Sequence, residues 1–135
     1  MVIAHIVNRM DYIKVLLVDD HLLIRKSFKQ LLQKIPEVVV VGECIDGCEV
    51  VPFLENNQAD VIFMDLVMKT MNGFEATEKV KEKHPTIKVI GFSSTDHTHF
   101  TTRIIKSGAD GFMSKFDADK ESIISMLKKI GFIIS

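Results

Sequence analysis

Two acidic side chains stand together directly after the first apolar run of the sequence. Asp19 and Asp20 follow the apolar residues of "VLLVDDH". Two like charges about 4 Å apart repel by roughly 1 kcal/mol in water and by about 4 kcal/mol near a protein surface. The pair therefore needs a positive partner, unless Asp20 only caps the helix that follows.

Three further apolar runs end in groups that can act on a phosphate or a metal. Asp65 ends "VIFMD", Ser93 and Ser94 follow "VIGF", and Lys115 ends "GADGFMSK". Each of them alone has an ordinary explanation, as a turn residue, a hydroxyl that ends a strand or a surface cation. At one edge of a sheet, however, the carboxylates would repel one another unless a hard divalent cation such as Mg²⁺ neutralised them.

A cation held by these carboxylates would leave one carboxylate oxygen free to act as a nucleophile. Its electrophile would be a phosphoryl group, whose charge the metal, a lysine and a hydroxyl can share. The phosphorylated carboxylate would then attract the hydroxyl and the ammonium group from neighbouring strands. The residues therefore predict phosphoryl transfer to an aspartate that works as a switch.

Five continuously apolar runs predict the strands that position these groups, each covered on both faces. The predicted strands are Ile13–Val18, Val38–Glu43, Asp60–Met64, Ile87–Phe92 and Asp110–Ser114. They start roughly 25 residues apart, which leaves room for a helix each time. The result is an open parallel sheet with helices on both faces, whose ligands bind beyond the carboxyl ends of the strands.

The segments between the strands carry the apolar spacing of helices. A first helix begins near Leu22 and is stopped by Pro36, and Pro52 predicts a second helix that is kinked or starts late. Further helices are predicted over 74–84, over 96–106 before Gly108, and over about 117–130 before Gly131. His97 and His99, near the start of the fourth helix, are predicted to be exposed residues without a metal.

The composition fits a single domain and excludes several classes of function. The 135 residues include 17 basic and 18 acidic side chains, and this balance offers no electrostatic footprint for nucleic acid. No apolar run has the length of a membrane span. Cys44 and Cys48 have no second pair, which favours free thiols in a cytosolic protein. Residues 1–11 are predicted to be a poorly ordered extension, with Met10 as a natural start, and 12–135 to form the domain.

Four motifs resemble those of a known family in both order and spacing. "VLLVDDH", "VIFMDLVM...MNGFE", "VIGFSS" and "GADGFMSK" are similar to the motifs of the receiver domain of two-component response regulators, over roughly residues 12–131. The resemblance implies an α/β flavodoxin-like (βα)5 fold with strand order 2-1-3-4-5. It also implies that the chain is a signalling domain and not an enzyme. Such a domain catalyses only its own phosphotransfer and dephosphorylation.

The resemblance further implies a donor and a role for individual residues. The donor would be a sensor histidine kinase or a histidine phosphotransfer protein. Asp65 would accept the phosphoryl group. Mg²⁺ would be held by Asp20, Asp65 and the backbone carbonyl of Val67, and by Asp19 through a water molecule. The remaining roles are those of Ser93 as the switch hydroxyl, Lys115 as the phosphate-pairing lysine and Phe112 as the switch aromatic.

Three departures from the family pattern leave the chemical groups of the pocket in place. Lys69 replaces a common proline and adds a cation close to the site. Phe116 also stands where many members have proline, which disfavours a cis peptide, since non-proline cis bonds cost about 2.5 to 4 kcal/mol. Phe112 lacks the hydroxyl of tyrosine, so packing alone would drive its rotation.

The segment "VDDHLLIRKSFKQLL" looks most like the branch that carries a helix-turn-helix domain after the receiver. The sequence ends at "KKIGFIIS", so we expect either a stand-alone receiver or one cut from a longer regulator, with no direct contact to nucleic acid or membrane. Residues of the fourth and fifth helices and the fifth strand resemble the output surface of the family, namely Ile104, Ile105, Phe112 and Met126. Phosphorylation is expected to shift this surface toward a partner-bound or dimeric state.

Three other functions fit the sequence less well. A haloacid-dehalogenase-like phosphatase needs an aspartate two residues after its nucleophile, where this chain has Val67. A dinucleotide-binding module needs G-x-G-x-x-G after the first strand, and that motif is absent. A receiver-shaped module that is never phosphorylated would be expected to have lost part of the pocket.

Overall fold

The computed structural model describes residues 12–94 and 98–135. The strands are β1 (Ile13–Val18), β2 (Val38–Cys44), β3 (Val61–Asp65), β4 (Lys88–Ser93) and β5 (Gly111–Ser114). They pair in parallel in the order β2-β1-β3-β4-β5, as predicted, and each predicted boundary is displaced by at most one residue. The extension expected at 1–11 lies outside the described residues.

Helices cover both faces of this sheet. They are α1 (Leu22–Gln33), α2 (Val50–Asn56), α3 (Gly73–Lys83), α4 (Thr98–Lys106) and α5 (Lys120–Lys129). Helices α2, α3 and α4 bury their apolar residues against one face, and α1 and α5 cover the other. Within the described part of the chain, no helix has the length and apolar character needed to cross a bilayer.

The central strand β3 is buried along its whole length, which explains its continuous apolar run. Its residues alternate between the two faces, so that Met64 joins the cluster beneath α2, α3 and α4 while Phe63 joins the other. Phe63 packs edge-on against Phe28 of α1, with the ring centroids 4.8 Å apart. Packing on both faces therefore fixes the strand that ends in Asp65.

Two helix starts show how local chemistry shifts a boundary. Pro52 is the third residue of α2, where its missing N–H is not needed, and a 3₁₀ turn at Gly47–Glu49 precedes the helix, so the predicted late start is confirmed. The predicted start of α5 near Asp117 was wrong. Asp119 and Ser122 form a reciprocal capping box there, which delays α5 to Lys120.

Positive φ angles end the last two helices. Gly108 (φ 109°) follows α4 and Gly131 (φ 115°) follows α5, as predicted. The start of α4 predicted at Asp96 and the neighbouring His97 lie outside the described residues.

Cys44 is buried, Cys48 is exposed, and both thiols are free.

Candidate functional site

The carboxyl ends of β1 and β3 bring four potential metal-binding side chains together. Asp19, Asp20, His21 and Asp65 each offer one ligand atom, and these atoms all lie within 4.8 Å of one another. Asp19 and Asp20 follow β1, and Asp65 is the last residue of β3, which pairs with β1 in register. The topology thus places all three carboxylates at one edge of the sheet.

Lys115 is the cation that the structure places among these carboxylates. It follows β5 directly, and its Nζ lies 3.3 Å from Asp65 Oδ1 and also pairs with Asp19 Oδ2. The Lys115 side chain is 7% exposed, and those of Asp19 and Asp65 are comparably buried. A single ammonium group neutralises only part of the charge of three carboxylates, so the site can accept a further positive charge.

Burial dominates the electrostatics of Asp65. It raises the pKa of the Asp65 carboxyl to about 6; the Lys115 ammonium opposes this rise, and the Asp19 carboxylate adds to it. One Asp65 oxygen also accepts the N–H of Leu66 at 2.9 Å. The Asp65 carboxylate is therefore poorly solvated, and added positive charge stabilises it.

An orphaned oxygen of Asp20 provides a test of whether these residues fit a cation. Asp20 Oδ1 is buried and accepts no hydrogen bond among the described residues. A buried carboxylate oxygen without a donor costs free energy that a metal ligand bond can recover. Carboxylate oxygens are the ligands that Mg²⁺ prefers, so the residues fit a divalent cation of this class.

The remaining residues predicted for the site lie around this edge. Ser93 ends β4, the neighbour of β3, and is 3% exposed. Phe112 lies in β5 opposite Gly91 and is half-buried. Val67 follows Asp65 by two residues, and its side chain is 60% exposed. His99 is exposed on α4, and the cluster of potential metal ligands does not include it.

Asp46 is a residue of this region that the sequence analysis missed. It accepts three backbone N–H groups, from Cys48 at 3.0 Å, Thr70 at 2.8 Å and Met71 at 2.9 Å. The bond to Cys48 is a local turn that the dipeptide Asp-Gly could have suggested. The other two bonds hold the β3–α3 loop to the loop after β2, so Asp46 positions the segment that follows Asp65.

Replacing Asp46 with asparagine is expected to lower the free energy of unfolding at pH 7 by about 2 kcal/mol. An amide has one acceptor oxygen, so its NH₂ group would face an N–H donor of the loop. Burial alone would raise the pKa of Asp46, but the N–H groups of Cys48, Thr70 and Met71 outweigh it and hold this pKa well below its usual range. The stabilisation is therefore complete above the unfolded pKa near 3.9 and is lost as the pH falls below it.

Urea denaturation between pH 3 and pH 7 measures this effect. The difference between wild type and Asp46→Asn should shrink below about pH 4. Asp119→Asn is the control, because asparagine caps a helix as well as aspartate does. Equal stability of wild type and Asp46→Asn at pH 7 would show that the hydrogen bonds from the β3–α3 loop to the Asp46 carboxylate do not stabilise the fold.

Comparison with known proteins gives a consistent assignment. The family model "Response regulator receiver domain" matches residues 15–128. The transcriptional regulatory protein DegU of Brevibacillus brevis is 35% identical over 118 residues, which are 87% of this chain and 50% of DegU. The nitrate/nitrite response regulator protein NarL of Escherichia coli K12 is 35% identical over 113 residues, 84% of this chain and 52% of NarL. This chain thus spans about half the length of these curated relatives.

A solved structure agrees with this assignment. The signal receiver domain of the response regulator NarL from Mycobacterium tuberculosis superimposes with a TM-score of 0.82 at 26% identity, over 90% of this chain and 99% of that one. Fold, acidic pocket and sequence family point to the same class of signalling domain. The chain belongs to the response regulator receiver domains of two-component signalling.

Proposed function

We propose that the unit formed by residues 12–135 accepts a phosphoryl group on Asp65 in a Mg²⁺-dependent reaction and then changes its output surface. The donor is a sensor histidine kinase or a histidine phosphotransfer protein, and the reaction takes place in the cytoplasm, where such donors present their phosphohistidine. The observation that carries this proposal is the buried Asp65 carboxylate beside Lys115 and the orphaned Asp20 oxygen.

The residues of the pocket divide the work of phosphoryl transfer. Asp19, Asp20, Asp65 and the carbonyl of Val67 would hold Mg²⁺, which when bound neutralises charge on the phosphoryl oxygens. An Asp65 oxygen forms the new bond to phosphorus as the bond to the donor imidazole breaks, and the imidazole leaves with that electron pair. Lys115 donates to the phosphoryl oxygens, and attack by water on phosphorus later restores the carboxylate.

The switch would start from Ser93 and end at the surface of α4, β5 and α5. The Ser93 hydroxyl donates to the phosphoryl group, which draws the end of β4 toward Asp65. Phe112 is half-buried and has no hydroxyl, so packing contacts alone would rotate its ring after this movement of β4. Moving a population from 1:99 to 99:1 takes about 5.5 kcal/mol, so partial switching is the expected result.

The output surface differs in one residue from the sequence-based expectation. Ile105 is 47% exposed, and Phe112 and Met126 are half-buried, so these three contribute to the surface. Ile104 was expected there as well, but it is fully buried because it packs into the core beneath α4. The surface proposed for a partner or a second copy of the chain therefore excludes Ile104.

Incubation with a small phosphodonor tests the proposal. Wild-type protein is expected to gain the mass of one phosphoryl group with Mg²⁺ and to gain none with EDTA. Asp65→Asn should stay unmodified under both conditions, while Asp117→Asn, which changes an exposed acid two residues after Lys115, should behave as wild type. Labelling that persists in Asp65→Asn would move the acceptor elsewhere, and labelling in EDTA would remove the role of Mg²⁺.

A further inference from the structure

His21 extends the acidic pocket with a nitrogen atom to which the family resemblance assigns no role. Its Nδ1 lies 3.2 Å from Asp19 Oδ1 and 2.9 Å from Asp20 Oδ1. His21 also offers one of the ligand atoms in the group that includes Asp65. The imidazole is therefore close to every carboxylate of the proposed metal site.

Backbone hydrogen bonds hold His21 in this place. Its N–H donates to Asp19 Oδ1 at 2.8 Å, and its carbonyl accepts the first helical bond of α1, from Arg25 N at 3.0 Å. His21 is the N-cap residue of α1, but its side chain makes no capping hydrogen bond. Its ring Nδ1 instead forms a hydrogen bond with Asp19 Oδ1, so the ring faces the pocket, and Nδ1 would exchange this hydrogen bond for a bond to the cation.

The spacing of the three atoms matches neighbouring ligands of one cation. Adjacent ligands of an octahedral ion with bonds of about 2.1 Å lie about 3 Å apart. Both distances from His21 Nδ1 are close to that value. Asp20 Oδ1 accepts no hydrogen bond although Nδ1 is 2.9 Å away, so this pair has the spacing of two ligands without the geometry of a donor and an acceptor.

We infer that His21 Nδ1 is a nitrogen ligand of the metal pocket, so that this chain binds Co²⁺ and Zn²⁺ more tightly than a pocket of oxygens alone would. Imidazole favours these transition metals, whereas Mg²⁺ favours oxygen ligands. The inference rests on the proposed function, because it uses the same carboxylates. It adds a preference among divalent cations that the phosphoryl-transfer chemistry does not require.

Mn²⁺ and Co²⁺ serve as probes on the purified full chain at pH 8. Pulsed electron paramagnetic resonance of bound Mn²⁺ detects ¹⁴N bonded directly to the metal, and competition with a chromophoric chelator gives the affinities for Co²⁺ and Mg²⁺. We expect ¹⁴N modulation in wild type that disappears in His21→Gln. The Co²⁺ affinity of that variant should fall by about 10-fold or more, and its Mg²⁺ affinity by less than about 3-fold.

His99→Gln is the matched control, because His99 is an exposed histidine outside the cluster, and it should keep the modulation. Bound Mn²⁺ without ¹⁴N modulation in wild type, or modulation that persists in His21→Gln, would overturn the inference and leave the carboxylate site standing. Failure of the proposed function has a separate signature, namely no phosphoryl group on Asp65 by intact mass. Circular dichroism of each variant confirms that it is folded.

Discussion

Gly73→Ala is expected to lower the free energy of unfolding by about 3 kcal/mol. In an ordinary helix this change would stabilise the protein by up to about 1 kcal/mol, since glycine is the poorer helix former. Here the added Cβ would lie 2.0 Å from Asp65 O and 3.0 Å from Leu66 Cα. Only a shift of the first turn of α3 away from β3 can relieve contacts with backbone atoms, which places the cost at the upper end of the range for overpacking.

The same substitution is expected to slow phosphorylation of Asp65. Gly73 N donates to Leu66 O at 2.9 Å, so the start of α3 is bonded to the residue that follows the acceptor. Displacing this contact shifts the backbone that carries the Asp65 carboxylate. Misplacement of reacting groups on the ångström scale costs roughly 100-fold in rate, and even a partial shift should cost about 10-fold.

Gly111→Ala is the matched control for this prediction. Its added Cβ would also meet a close neighbour, Met126 Sδ at 2.7 Å, but that atom belongs to a flexible side chain. Turning the methionine away should limit the cost to less than about 1 kcal/mol. Urea denaturation measures both variants, and intact mass over time measures their phosphorylation. Wild-type stability and rate in Gly73→Ala would show that α3 can leave β3 without cost.

The sheet was predictable because its strands are buried on both faces. An apolar run such as "VIFMD" has the same character wherever it lies in the sheet, and parallel pairing brings its carboxyl end beside those of its neighbours. Asp19, Asp65 and Lys115 could therefore be assigned to one edge from sequence position alone. The helix boundaries were harder to predict than the strands, since the start of α5 depends on the capping box of Asp119 and Ser122.

Other features depend on contacts between residues far apart in the sequence. The hydrogen bond from Met71 N to Asp46 Oδ1 joins two loops, and the close approach of Gly73 to Asp65 O depends on where α3 leaves the sheet. No role was predicted for His21, and its 2.9 Å distance to Asp20 Oδ1 places it in the pocket. Periodicity and motif spacing carry no information about such distances.

Lys115→Met is expected to destabilise the metal-free protein by about 3 to 5 kcal/mol, the usual cost of removing one partner of a buried ion pair. The change leaves Asp19 and Asp65 buried without their ammonium partner. It also removes the main influence that lowers the pKa of Asp65, so this pKa rises further above its unfolded value. The penalty is therefore complete above the new pKa and decreases as the pH falls, when Asp65 binds a proton.

Added Mg²⁺ should recover most of this loss. A ligand that binds only the folded state stabilises it by RT ln(1 + [L]/Kd), about 2.7 kcal/mol at 100 times Kd. Without the Lys115 ammonium beside them, Asp19 and Asp65 should bind Mg²⁺ more tightly than they do in the wild type. Thermal unfolding of wild type and Lys115→Met, each with EDTA and with saturating Mg²⁺, measures the difference.

Lys81→Met shows whether that recovery belongs to the acidic pocket. Lys81 is also ion-paired, to Asp110 at 2.7 Å, and its side chain is 18% exposed, but its partner is not among the acidic residues of the pocket. Its loss should destabilise the protein, and Mg²⁺ should stabilise this variant only as much as it stabilises wild type, because no carboxylate of the pocket is released. If Mg²⁺ stabilised both variants equally, Lys115 and the cation would not be alternative counter-charges for Asp19 and Asp65.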